Sequence, residues 1–105
     1  MSINYVFELV DKHGRKVHLT YERLKHIQKH PHMHDPVEMI KIVLRSPLTV
    51  RYEEDKNILY FYKEFKEMPS EERYLFVSVR YLNGDGFVIT SFFTNKMTGE
   101  RWENK

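Results

Sequence analysis

Four of the six histidines fall within nine consecutive positions, in the segment KHIQKHPHMH that runs from Lys25 to His34. Imidazole titrates close to neutral pH, so a stretch of this kind can move protons or bind a metal. His26 and His30 are four apart, a spacing that presents two rings on one helical face, and His32 and His34 would complete a metal site. No glutamate follows His26 directly, so the metalloprotease pattern is missing. The competing reading makes His32 and His34 plain surface residues and keeps His26 and His30 for acid–base work. That work needs convergent partners, and candidates stand in the C-terminal half. Strand alternation puts Tyr60 and Tyr62 on one side of their strand, with Lys63 next along. It groups Arg80 with Ser78 and Leu82, opposite Val77, Val79 and Tyr81. Thr90, Phe92 and Thr94 share one face of the last strand, and Ser91 and Phe93 the other. Cationic, hydroxyl and aromatic groups on one sheet suit phosphate and base contacts. Any one of them, taken singly, is more often simply an outward-facing residue.

Charge adds a direction. Residues 1–47 carry eight basic and five acidic side chains, and residues 48–105 carry nine and ten. Between Lys12 and His34 six bases face one acid, Glu22. A phosphate-bearing partner suits this stripe, with Arg23, Lys25, Lys29 and the more distant Arg51 as RNA contacts. A solvated surface explains it equally well.

Composition excludes several classes. The chain has 105 residues and is 41% hydrophobic, which fits one domain over 1–105 and argues against disorder. With no cysteine there is no disulfide framework and no thiol nucleophile. The apolar runs are too short to span a bilayer, and the N-terminus lacks a signal-peptide pattern, so a cytoplasmic protein with no membrane partner is expected. There is no phosphate-cradling glycine loop, no Gly-x-Ser-x-Gly elbow and no dinucleotide fingerprint. No acidic pair is placed for magnesium, so phosphodiester cleavage would run without a metal, and no cofactor is expected.

These groups need elements to hold them. INYVFELVD alternates as a strand, DKHGRK turns at Gly14, and KVHLT pairs back. Thr20 caps a helix through TYERLKHIQKH that Pro31 ends. A second helix runs from Asp35 to Ser46, with Asp35 as cap, Pro36 at the first position and Glu38 closing a capping box. Four strands follow: LTVRYEE, NILYFYKEF, RYLFVSVRYL and GFVITSFFT, the last two joined through Asn83–Gly86. Runs of strands and helices without alternation predict an α+β fold, in which an N-terminal β-hairpin and two helices pack on a four-stranded antiparallel sheet.

Several segments together resemble a known family: HIQKHPHM ending a helix, then YFYK, YLFVSVRYLNGDGFVITSFFTNKM and a late GERW. Over roughly residues 20–102 the chain resembles the phage-associated branch of the barnase–EndoU–colicin–RelE-like nuclease superfamily. Its members tend to show a His-Ile-x-x-Arg-His-Pro-Glu helix end, paired tyrosines, a Val-x-Thr-[Ala/Ser]-Tyr-like last strand and a Gly-x-x-Trp tail. By position, His26 and His30 match the two histidines, and Tyr62 and Lys63 the aromatic–basic pair. Arg80 matches the strand base, Thr90 and Ser91 the hydroxyl pair, and Trp102 the tryptophan. Lys29, His32 and Phe92 stand where arginine, glutamate and tyrosine are usual. The resemblance implies a RelE/barnase-like fold and a metal-independent endoribonuclease, toxin- or phage-derived, with RNA and a cognate antitoxin or immunity protein as partners. In that role His30, then His26, would carry protons, with Tyr62 as substitute, while Arg80 and Lys63 would stabilise the phosphate. The alternative is a non-catalytic RNA- or protein-binding module on the same fold.

Overall fold

A computed structural model describes residues 4–102. Ile3, expected to open the first strand, and the outer ends of the expected 1–105 domain lie outside the described residues. The elements are β1 (Tyr5–Val10), β2 (Lys16–Thr20), α1 (Tyr21–Ile27), α2 (Val37–Arg45), β3 (Thr49–Tyr52), β4 (Ile58–Glu64), β5 (Tyr74–Leu82), β6 (Asp85–Thr94) and β7 (Glu100–Arg101). A short 3-10 turn, Ser70–Glu72, lies between β4 and β5. The class is α+β, as expected, but the sheet is larger than four strands and is mixed. Seven strands run in the order β1-β2-β6-β5-β4-β3-β7, and β2 pairs parallel to β6. The N-terminal hairpin is therefore part of the sheet rather than a layer on it. The junction consists of the pairs Val17↔Gly86 and His18↔Phe87.

One face of this sheet carries the core. Ile27 of α1, Met33 of the connection and Ile40, Val43 and Leu44 of α2 are fully buried against Val17, Leu19, Leu59, Phe61, Leu75, Val77 and Val79. Each such side chain contributes about 1.5–3 kcal/mol relative to leaving it exposed. On β6 strict alternation breaks, because Ser78 pairs Thr90 while Val79 pairs Val88. The extra residue, Ile89, makes a bulge, and the bulge lets Val88 and Ser91 both face the core. Asn83 and Gly84 turn the β5–β6 hairpin with φ of 53° and 88°, and Leu82 pairs directly with Asp85. Two successive positive φ values are the primed turn that matches strand twist.

Both helix ends differ from expectation. Thr20 caps α1 by accepting the Arg23 N–H at 3.2 Å, but the helix stops at Ile27 rather than at Pro31. From Lys29 onward the amides bond three residues back, His30 N–H to Ile27 among them at 3.0 Å. The tighter turns carry Met33 into the core, where it is fully buried. Asp35 does not cap α2. Pro36 holds the cap position without a side-chain bond, its carbonyl accepts from Ile40 at 2.9 Å, and its ring is buried. β7 is an addition that no sequence pattern announced. Its two residues pair with β3, and the Trp102 N–H donates to Val50 O at 2.8 Å. Among the described residues no helix is long and apolar enough to cross a membrane.

Candidate functional site

β2 flanks β6 only at its first residues, so the later part of β6 has no strand beyond it. The turns after α1 lie along that edge and bring His30 to within 5.4 Å of Phe92, ring to ring. His30, Pro31, Glu72, Phe92 and Phe93 line a cavity of about 320 Å³. Glu72 arrives from the 3-10 turn, held by its N–H to Pro69 O at 2.8 Å. Its Oε2 lies 3.0 Å from His32 Nε2. His32 is exposed, as expected of a surface residue, and pairs with Glu72 there. Its φ of 65° is costly for a residue with a side chain, and its ring also meets Phe93 edge-on at 6.5 Å. Sequence reasoning missed Glu72 entirely. It sits in the polar run KEMPSEE, and nothing in its local pattern separates it from Glu71.

The face opposite the helices carries a row of rings. The register Tyr62↔Phe76↔Phe92 sets three aromatic side chains abreast across β4, β5 and β6. Phe76 lies 5.2 Å from Tyr62, 5.2 Å from Tyr60 and 4.8 Å from Phe92, and Phe92 continues the row to His30. The connection from β6 to β7 crosses this face. Thr98 N–H donates to the Tyr62 hydroxyl at 3.2 Å, and Arg51 Nη1 donates to the carbonyls of Met97 at 3.4 Å and Gly99 at 3.3 Å. A second cavity of about 290 Å³ opens between the crossing chain and the rings, walled by Tyr60, Phe76 and Phe92 with Glu53 and Lys96 among its polar lining. Tyr60 donates to Glu53 Oε1 at 2.9 Å; burial first, and then that bond, push its phenol above the ordinary range.

The residues expected to act together are separated. His30 and Tyr62 belong to the same row, but Tyr62 is only 2% exposed and its hydroxyl is engaged by Thr98. His26 is exposed on α1, one turn before His30. Arg80 shares the open face but pairs with Ile58 and Phe87, four residues and about 13 Å of strand from Phe76. Lys63 is on the other face: its Nζ donates to Ser46 O at 2.9 Å, closing the C-terminal end of α2, where a cation is favoured. Ser91 is fully buried on the core face, whereas Thr90 stands beside Ser78. Arg23, Lys25 and Lys29 are exposed on and just after α1. Arg51 is half-buried and committed to the crossing chain. Among the described residues no three histidine, aspartate or glutamate side chains converge to hold a metal.

Trp102 belongs to a different cluster. It packs edge-on against His13 at 4.6 Å and lies under the Arg15 guanidinium at 4.9 Å, behind the β1–β2 turn. Comparison of the chain with protein-family models, with curated proteins and with solved structures finds no match to any of them.

Proposed function

We propose that this protein is a metal-independent endoribonuclease whose reaction centre is the cavity between His30 and Glu72. The observation that carries the reading is that an imidazole and a carboxylate line one cavity whose other walls are the rings of Phe92 and Phe93. Cleavage by 2′-hydroxyl attack needs two proton carriers. One takes the 2′-hydroxyl proton as that oxygen bonds to phosphorus, and the other gives a proton to the departing 5′-oxygen, leaving a 2′,3′-cyclic phosphate. Unstacked bases lie against aromatic side chains, which is the part the two phenylalanines would play. The exposed bases Arg23, Lys25 and Lys29 would hold backbone phosphates on the segment that ends in His30. The resemblance of the helix end HIQKHPHM to nuclease motifs points to the same histidine. His32, exposed at the surface, would act as a positioning residue for Glu72.

A binding module without turnover is the second reading, and one observation favours it. Among the described residues no lysine or arginine lines the His30 cavity, so a cation to offset charge on the transition state is missing from its walls. The two readings separate when labelled RNA is incubated with the protein in EDTA. Cyclic-phosphate ends are expected, with His30→Ala and Glu72→Gln each slowing cleavage by roughly 100–10,000-fold, and His34→Ala leaving it unchanged. Binding without cleavage would select the module. Loss of neither His30 nor Glu72 mattering would remove the cavity from the mechanism.

A further inference from the structure

The second cavity has a chemistry unlike the first. Its walls are the rings of Tyr60, Phe76 and Phe92, and Glu53 supplies a carboxylate whose Oε1 already accepts from Tyr60. Glu53 and Tyr60 also border an adjoining depression completed by Glu54 and Asp55. Among the described residues, no lysine or arginine forms an ion pair with these three carboxylates. Among the described residues, Lys96 is the single cation in the lining of the aromatic cavity. Lys56 follows Asp55 in the same turn, its Nζ 5.4 Å from the Tyr52 ring. Glu53, Glu54 and Asp55 thus exceed Lys56 and Lys96 by one charge, and the negative excess lies at the Glu53 margin of the cavity.

We infer that the aromatic cavity is a receptor for a guanidinium group, an arginine side chain presented by a protein partner. Aromatic faces attract cations through their quadrupole, and the attraction grows when the site is partly desolvated. A carboxylate at the margin adds charge-assisted hydrogen bonds. Guanidinium suits the cavity better than ammonium because it is planar, stacks on rings and offers a fork of donors to Glu53. The cavity shares Phe92 with the His30 site. A partner seated here would close off the approach to His30, a consequence that rests on the proposed cleavage, whereas the arginine site itself does not.

The test is a nuclear magnetic resonance titration of the full chain with N-acetyl-arginine amide, its neutral isostere N-acetyl-citrulline amide, N-acetyl-lysine amide and guanosine monophosphate. Arginine amide is expected to shift the amides of Glu53, Tyr60, Phe76 and Phe92, lysine amide to act more weakly, and citrulline amide not at all. Glu53→Gln should weaken arginine binding by about tenfold. Lys96→Gln, which removes the competing cation at an exposed position, should tighten it, and this keeps the question open to measurement if Glu53→Gln perturbs the fold. Equal shifts from citrulline, nucleotide binding at these residues in place of arginine, or no response to arginine would each overturn the assignment. Because the readout is ligand binding, failure here leaves the cleavage reading standing, and absence of cleavage leaves the arginine site standing.

Discussion

Tyr81 donates its hydroxyl to Asp11 Oδ2 over 2.6 Å, and the Asp11 side chain is wholly shielded from solvent. The other carboxylate oxygen accepts the N–H groups of His13 at 2.9 Å and Arg15 at 3.0 Å, so a single aspartate shapes the β1–β2 turn and ties it to β5. Arg15 covers the Tyr81 ring at 3.6 Å. Burial above all, and then the bond to Asp11, drive the Tyr81 phenol far above its ordinary range. Tyr81→Phe keeps the ring but takes one donor from a buried carboxylate, and should cost about 1–3 kcal/mol of stability in urea denaturation; an unchanged midpoint would mean that Asp11 is satisfied without it. His13, beside this cluster, behaves differently. Burial, and then the charges of Arg15 and Lys12, hold its imidazole below the ordinary 6.5 against the opposing pull of Asp11. The unfolded chain thus takes up this proton more readily. The stability that His13 contributes is complete above pH 6.5 and drains away as pH falls from there toward the folded value. The gap in melting temperature between the parent and His13→Gln should therefore change between about pH 7.5 and about pH 5, and a constant gap would show that His13 titrates alike in both states.

At the scale of elements, the parallel contact of β2 with β6 rests on two residue pairs. Gly86 sits at it, paired with Val17 on one side and Tyr81 on the other. A Cβ at Gly86 would come within 2.7 Å of Tyr81 Cε2 and 2.8 Å of Val79 Cγ1, both side chains buried in the sheet. Gly86→Ala is overpacking and should cost about 1–3 kcal/mol. The clash is with β5, so relief displaces the Gly86 end of β6 and the β2 pairing it carries. Amide exchange should therefore rise first around Gly86 in β2, β5 and β6 and less in β3. Uniform acceleration throughout the sheet would place the damage elsewhere. His18 supports the same contact from the open face, stacked between Tyr5 at 4.5 Å and Phe87 at 5.0 Å, with Nδ1 2.8 Å from Glu8 Oε2.

Across the molecule, charge is sorted by place. Basic side chains cluster on and after α1, while Glu53, Glu54 and Asp55 gather at the far end of the β3–β4 hairpin. RNA that uses the α1 side should bind with a log–log salt slope of about −0.7 for each phosphate neutralised on a single strand. Replacing Arg23 and Lys29 together should flatten that slope by roughly one to two units. Replacing Arg51, committed to the crossing chain, should alter stability instead of slope. A slope indifferent to the Arg23–Lys29 pair would show that the α1 stripe is only a solvated face.

The sequence by itself determined the local elements. KVHLT is a strand with the expected bounds, Thr20 caps the first helix, and Asn83-Gly84 turns a hairpin. These outcomes depend on side-chain period and on φ preferences, which act over a few residues. His30 stands out as a candidate for a similar reason, since imidazole chemistry is a property of the residue type, and it lines a cavity wall. What only the tertiary structure decided is which groups meet. Lys63 follows Tyr62 in sequence, yet packing of α2 on the sheet gives its ammonium to the Ser46 carbonyl, away from the row of rings. Ser91 is drawn into the core by the bulge at Ile89, and Met33 ends α1 early by being pulled into the same core. Glu72 reaches the His30 cavity from more than forty positions away, because the turns after α1 lie along the edge of β6 that β2 leaves free. Such meetings are set by packing and strand order, which summed long-range burial selects and no local pattern encodes.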